Sequence, residues 1–137
     1  MAGQRGTWIA LWLGMTGVAK IEDLLAWQAA DAFKKEVYEL VRKSTAAMHD
    51  LSFRDQIRSA AASTAMNIAE GFHRFRPKEF IRFLEIGLAS LAETRLWIHD
   101  GIDRGHFAPE DCTRALTLAE RCQALTLGLL KSLKQRT

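Results

Sequence analysis

The 137-residue sequence predicts an all-α protein, an antiparallel up-down-up-down four-helix bundle. Three observations predict it. Apolar residues recur at three- and four-residue spacing through four segments. The two prolines, Pro77 and Pro109, both stand where such a segment begins. No stretch shows the alternating, β-branched pattern of a strand, and no repeat or low-complexity tract interrupts the chain. Short connections between four helices make neighbours antiparallel.

The first helix is expected over residues 22–45. Ala26, Ala30, Phe33, Val37, Leu40 and Val41 form one stripe, which faces a core. Asp31 with Lys35 and Glu39 with Lys43 are acid-before-base pairs at i,i+4, each worth about 0.2–0.5 kcal/mol. The second helix is expected from Ser52, as N-cap, with Asp55 three residues on in an imperfect capping box. Its stripe is Ile57, Ala61, Ala65, Ile68 and Phe72. Every side chain from Ser59 to Ala65 is small, which lets a neighbouring helix come close; the competing reading is a groove left open for a ligand.

Pro77 at the first position and Glu79 in the first turn start the third helix. Phe80, Leu84, Gly87, Leu91 and Ile98 make its seam, widened by Ile81, Leu88 and Trp97. One partner helix cannot cover that much apolar surface, so a second neighbour or another subunit is expected. Gly101 and Gly105 bracket its end. Pro109-Glu110-Asp111 starts the fourth helix, whose near-heptad seam is Ala115, Leu118, Ala119, Cys122, Leu125, Thr126, Leu129 and Leu133. Lys131, Lys134 and Arg136 lie at its C-terminal end, where the helix dipole favours cations.

Length and composition fit one ordinary globular domain. The formal charge of +3 tolerates an anionic partner without demanding one. Cys112 and Cys122 lie about 15 Å apart on one continuous helix, too far for a disulfide between them. They read as buried apolar residues in a reducing, cytoplasmic compartment. Residues 1–19 form a tail before the domain at 20–137. Residues 7–18 are apolar, follow Arg5 and end in Gly17-Val18-Ala19, like a short signal peptide, and are too short to span a membrane as a helix. The other reading, favoured because nothing downstream looks secreted, is an over-long start with Met15 as initiator and the upstream residues disordered or loosely packed.

The motifs are more specific than the pattern. Trp27-Gln28, Glu36-Val37-Tyr38, Gln56-Ile57-Arg58-Ser59-Ala60, Asn67-Ile68-Ala69-Glu70-Gly71-Phe72, Lys78-Glu79-Phe80-Ile81-Arg82-Phe83-Leu84 and Ser90-Leu91-Ala92-Glu93 follow one another in register. In that order, over roughly residues 24 to 133, the chain resembles a bacterial family of four-helix-bundle proteins. Its members were first noticed as products of intervening sequences in large-subunit ribosomal RNA genes. A relative is the accessory variability protein of diversity-generating retroelements, a basic ring of five subunits that associates with a reverse transcriptase and with nucleic acid. The resemblance implies a homo-oligomer, a five-subunit ring, with RNA or DNA and a reverse transcriptase or other nucleic-acid enzyme as partners. This chain departs from the family at His73-Arg74-Phe75-Arg76, where a glycine and a more basic run are common. It departs again at Thr64-Ala65-Met66, where a proline is common.

Three constellations carry chemistry. Asn67 and Glu70 lie one helical turn apart on one face. They read as a structural polar clasp between the second and third helices, with Arg58, Arg82 and Arg95 as candidate partners of Glu70 and Gly71 ending the helix. The rival is a polar binding or catalytic site. Glu70-Gly71-Phe72-His73 and Asp103-Arg104-Gly105-His106 have the Glu/Asp-x-x-His spacing of di-iron bundles, which need two such motifs on helices plus a carboxylate from each of two other helices; here Gly71 is expected to interrupt the first and the second lies in a predicted loop broken by Gly105. Neither cysteine has a ligand partner at zinc spacing. No metal, cofactor or catalytic residue is therefore expected, and phosphate-loop, dinucleotide and nucleophile-elbow signatures are absent. The third constellation is basic. Arg54, Arg58, Arg74, Arg76, Lys78 and Arg82 outnumber the acids around them, and Phe75 between two arginines could stack on a base. These seven residues are the candidate nucleic-acid surface, against the plainer reading of a solvated face. The expected function is a non-enzymatic oligomeric binding or scaffold protein directed at nucleic acid or a nucleic-acid enzyme. The alternatives are a purely protein-binding scaffold and, more remotely, a bundle-type enzyme or metal carrier.

Overall fold

The computed structural model describes residues 11–137. Among them, after a helical segment at 11–16, come five α-helices and two short 3-10 turns, with no strand. We label the helices α1 (Leu25–Arg42), α2 (Thr45–His49), α3 (Leu51–Phe72), α4 (Pro77–Asp103) and α5 (Thr113–Arg136). The 3-10 turns, Ile21–Asp23 and Pro109–Cys112, precede α1 and α5. No described helix is long and apolar enough to cross a membrane.

The expected first helix divides in two. It stops at Arg42, and Ser44 starts the five-residue α2 by accepting a hydrogen bond from the Ala47 backbone N–H at 3.1 Å. The N-cap of α3 is also not Ser52. Asp50 fills that place and accepts from the Phe53 N–H at 3.4 Å. Asp is as good an N-cap as Ser, and starting α3 at Leu51 lets Phe53 reach the core. Pro77 and Glu79 begin α4 as their positions predict.

All the predicted stripe residues of α1 and α3 are buried, as is the α4 seam of Phe80, Leu84, Gly87, Leu91 and Ile98. α1 packs on both α3 and α5, and α4 packs on the same two helices. Each of the four long helices therefore has two long neighbours, which answers the excess apolar surface expected on α4. The expected surface pairs form, Asp31 with Lys35 at 2.9 Å and Glu39 with Lys43 at 3.8 Å. Cys112 and Cys122 are free and buried.

α3 and α4 make the closest pairing, and its register explains the small residues. Gly71 faces Phe80 and Phe83, Asn67 and Thr64 face Gly87, and Ser63 meets Ser90 with 2.8 Å between hydroxyl oxygens. The two helices run antiparallel. Gly71 does not interrupt its helix, which continues to Phe72. A Cβ there would lie 2.7 Å from Phe83 Cβ and 2.8 Å from Phe80 Cδ1, so glycine is required by proximity rather than by backbone conformation. The small stretch is packing surface, not an open groove.

Residues 11–19, expected to belong to a loose tail, are partly built into this core; residues 1–10 lie outside the described residues. Trp12 is 1% exposed and contacts Phe72, Phe75 and Phe80. Arg136, at the far end of α5, donates to the carbonyls of Gly14 and Met15 at 3.1 and 3.2 Å. The 72–80 turn, residues 11–16 and the C-terminal end of α5 therefore share one end of the molecule.

Candidate nucleic-acid interface

The seven predicted surface residues do not form one patch. Arg54 stands in the first turn of α3 and Arg74 just past its last, about 30 Å apart along the axis. Arg54 is drawn inward, with Asp55 at 3.1 Å and the Met48 carbonyl at 3.4 Å. Arg58 lies over the Tyr38 ring, 6.0 Å from its centroid. It lines a groove of about 220 Å³ with Lys35, Val41 and Met48. Neither arginine is near the 74–82 group.

That group gathers at the end defined by Trp12. Arg74 binds Glu70 at 2.7 Å and reaches Glu79 at 3.8 Å, and Arg76 meets Glu79 at 3.4 Å. Two carboxylates thus offset much of the charge of these two arginines. Lys78 and Arg82, one turn apart on the exposed side of α4, have no carboxylate partner among the described residues. Arg82 leans on the Phe83 ring, 5.9 Å from its centroid, and Arg74 does the same from 5.3 Å. Lys131, Lys134 and Arg136 stand at the same end, in the last turns of α5.

Phe75 departs from its expected role. Its φ of 54° is the one left-handed value at a non-glycine among the described residues, a conformation that costs about 1 kcal/mol or more. It turns the ring inward: centroids lie 6.2 Å from Trp12 and 6.3 Å from Phe72. Phe75 is half-buried aromatic packing, not a free stacking platform.

The Asn67 and Glu70 pair also separates. Asn67 donates to the Ser63 carbonyl at 2.8 Å and to Ser63 Oγ at 2.9 Å. Through the Ser63–Ser90 contact it ties α3 to α4. Glu70 is exposed and points to Arg74, not to Arg58, Arg82 or Arg95. Arg95 instead bonds Gln123 of α5 at 2.8 Å. His73 Nδ1 is 2.8 Å from the Ala69 carbonyl, so Glu70 and His73 do not converge as ligands. No group of three or more His, Cys, Asp or Glu is placed to hold a metal ion among the described residues.

A polar cluster that sequence spacing did not suggest lies at the opposite end. Asp50 Oδ2 is 2.9 Å from His106 Nε2 and 3.0 Å from an Arg104 guanidinium nitrogen, and Arg104 also binds Asp100 at 2.6 Å. Ser44 Oγ donates to the His106 carbonyl at 2.8 Å. The His106 bond, seconded by Arg104, holds the Asp50 carboxyl below the usual carboxylate range. The partners are 54 and 56 residues apart in sequence, which no local signal reveals; even the capping role of Asp50 was missed in favour of Ser52. The cluster joins α2, the start of α3 and the 104–107 turn, a structural role.

The family model described as 23S rRNA-intervening sequence protein matches residues 22–128 of the chain. No curated protein matches it.

Proposed function

Because the chain belongs to the 23S rRNA-intervening sequence protein family, we propose that it is a non-enzymatic, oligomeric binding or scaffold protein. Its helices form an antiparallel four-helix bundle, and its basic end engages nucleic acid or an enzyme acting on it. The observation that carries this reading is the set of cations at the Trp12 end, where exposed Lys78 and Arg82 lack carboxylate partners among the described residues and Lys131 and Lys134 stand in the last turns of α5. Phosphate contacts by such residues release counterions, and copies of the patch in an oligomer add their effects. The test is salt-titrated binding of mixed-sequence RNA and DNA. Binding should weaken steeply with salt and be lost when Lys78 and Arg82 become Glu. Arg74→Glu with Arg76→Glu should do less, because both arginines are already paired. No binding at low salt sinks the reading.

The second reading is a purely protein-binding scaffold, and exposed apolar residues favour it. Met66 on α3 and Leu96 on α4 are each 70% exposed, and Ile86 adds to them. The resemblance to the accessory variability protein extends either reading to a ring of five copies, with a reverse transcriptase as one candidate partner. A light-scattering mass near five times 15.4 kDa is the expected result, and a mass of one chain removes the ring.

A further inference from the structure

We propose that this chain joins copies of itself head to tail, the face of α1 and α3 on one copy receiving the face of α4 and α5 on the next. The proposal rests on the oligomeric reading above and adds which surfaces meet. The two faces share no helix and lie across the core from each other, because α1 and α4 each pack on both α3 and α5. On α4, Glu85, Ala89, Ala92 and Leu96 recur at four- and three-residue spacing and are all exposed, which makes them one outward stripe. On α5, Glu120, Ala124 and Leu127 do the same; Lys131, the next residue of that stripe, already belongs to the basic end. The Arg95–Gln123 bond brings the stripes side by side, since Ala92 and Leu96 flank Arg95, and Glu120 and Leu127 lie one turn either side of Gln123. Leu96 is 70% exposed and Leu127 45%, and the alanines between leave the two leucines standing as a ridge. Glu85 and Glu120 make no ion pair among the described residues.

The receiving face has the opposite character. Arg58 of α3 lies over the Tyr38 ring of α1, and Ala62 and Met66 continue the α3 stripe at four-residue intervals. The groove of about 220 Å³ has an apolar floor of Val41 and Met48 and a mouth formed by Lys35, Tyr38 and Arg58, with Arg42 and Glu39 paired at its rim. That floor suits an aliphatic side chain such as Leu96 or Leu127. Arg58 has no carboxylate partner among the described residues. Lys34 and Lys35 share the single carboxylate of Asp31, at 3.0 and 2.9 Å, which leaves one positive charge over. Unpaired acids on one face and surplus cations on the other attract, whereas either face repels its own copy. Each chain supplies both halves of the match, which makes a second copy the occupant. A contact between two different faces leaves one of each free at the ends, so copies close into a ring or extend as a filament.

The experiment is a light-scattering mass measured over a concentration series, with circular dichroism to confirm that each variant is folded. Met66→Asp spoils the receiving face and Leu96→Asp the inserted one, and both sites are 70% exposed. Each variant alone should run as a single chain of 15.4 kDa. Their equimolar mixture should give pairs and nothing larger, because each variant keeps one good face and the two good faces are complementary. Charge reversal supplies an independent arm. Arg58→Glu, or Glu85→Lys with Glu120→Lys, should raise the concentration needed for assembly at least about tenfold, since like charges brought together cost several kcal/mol. All three changes in one chain should restore assembly. Variants that assemble as wild type does, or a mixture that stays at one chain or exceeds a pair, overturn these faces and leave the oligomeric reading standing. Loss of assembly in Leu96→Asp but not in Met66→Asp overturns the head-to-tail match. A wild type that is one chain at every concentration overturns both.

Discussion

Gly71 shows how much one missing carbon decides. A Cβ would enter space held by the Phe83 Cβ and the Phe80 ring, so Gly71→Ala should cost about 1–3 kcal/mol despite the better helix propensity of alanine. Gly128, in the exposed face of α5 with nothing within 4 Å of its Cβ position, is the control. Gly128→Ala should stabilise by about 0.5–1 kcal/mol. Urea unfolding of both variants checks the pair. Asn67→Ala should cost about 1 kcal/mol through the lost Ser63 bonds. Glu70→Gln, at an exposed site, should stay within about 0.5 kcal/mol of wild type. The sequence showed that Asn67, Glu70 and Gly71 were special but misassigned two of them. Spacing places residues on a face; it does not say which polar group has a neighbour across the gap.

At the scale of elements, helix starts were legible where the chemistry is local and obscure where it is not. Pro77 and Glu79 announced α4 because position and charge act within one turn. The break at Lys43–Ser44 was hidden, since the apolar stripe of α1 gives no sign of ending. Asp50 makes the start of α3 testable by pH. Its folded carboxyl titrates below the unfolded value near 3.9, so its contribution is present above that pH and is lost as pH falls through the lower folded value. Asp50→Asn should therefore melt below wild type at pH 7, with the gap shrinking below about pH 3.9. Melts at pH 7, 5 and 3 decide it, and a gap that widens in acid refutes the role given to His106 and Arg104.

At the scale of the molecule, the helical class and nearly every buried stripe were readable, because period and burial are two views of one constraint. The candidate surface was not, because charge counted along a sequence ignores which ends of the helices meet. Arg54 and Arg58 belong to other neighbourhoods, Phe75 turns inward, and Lys131 and Lys134 join from the end of α5. The buried thiols carry one more consequence: the protein holds two built-in clocks. Burial pushes both Cys112 and Cys122 above the ordinary thiol range, so neither reacts until the chain around it opens. Cys112 sits in a short 3-10 turn and Cys122 in the middle of α5. Under a thiol reagent in native buffer, Cys112 should be modified first, timing the fraying of that turn. Cys122 should follow only at the rate of global unfolding, timing the life of the folded state itself.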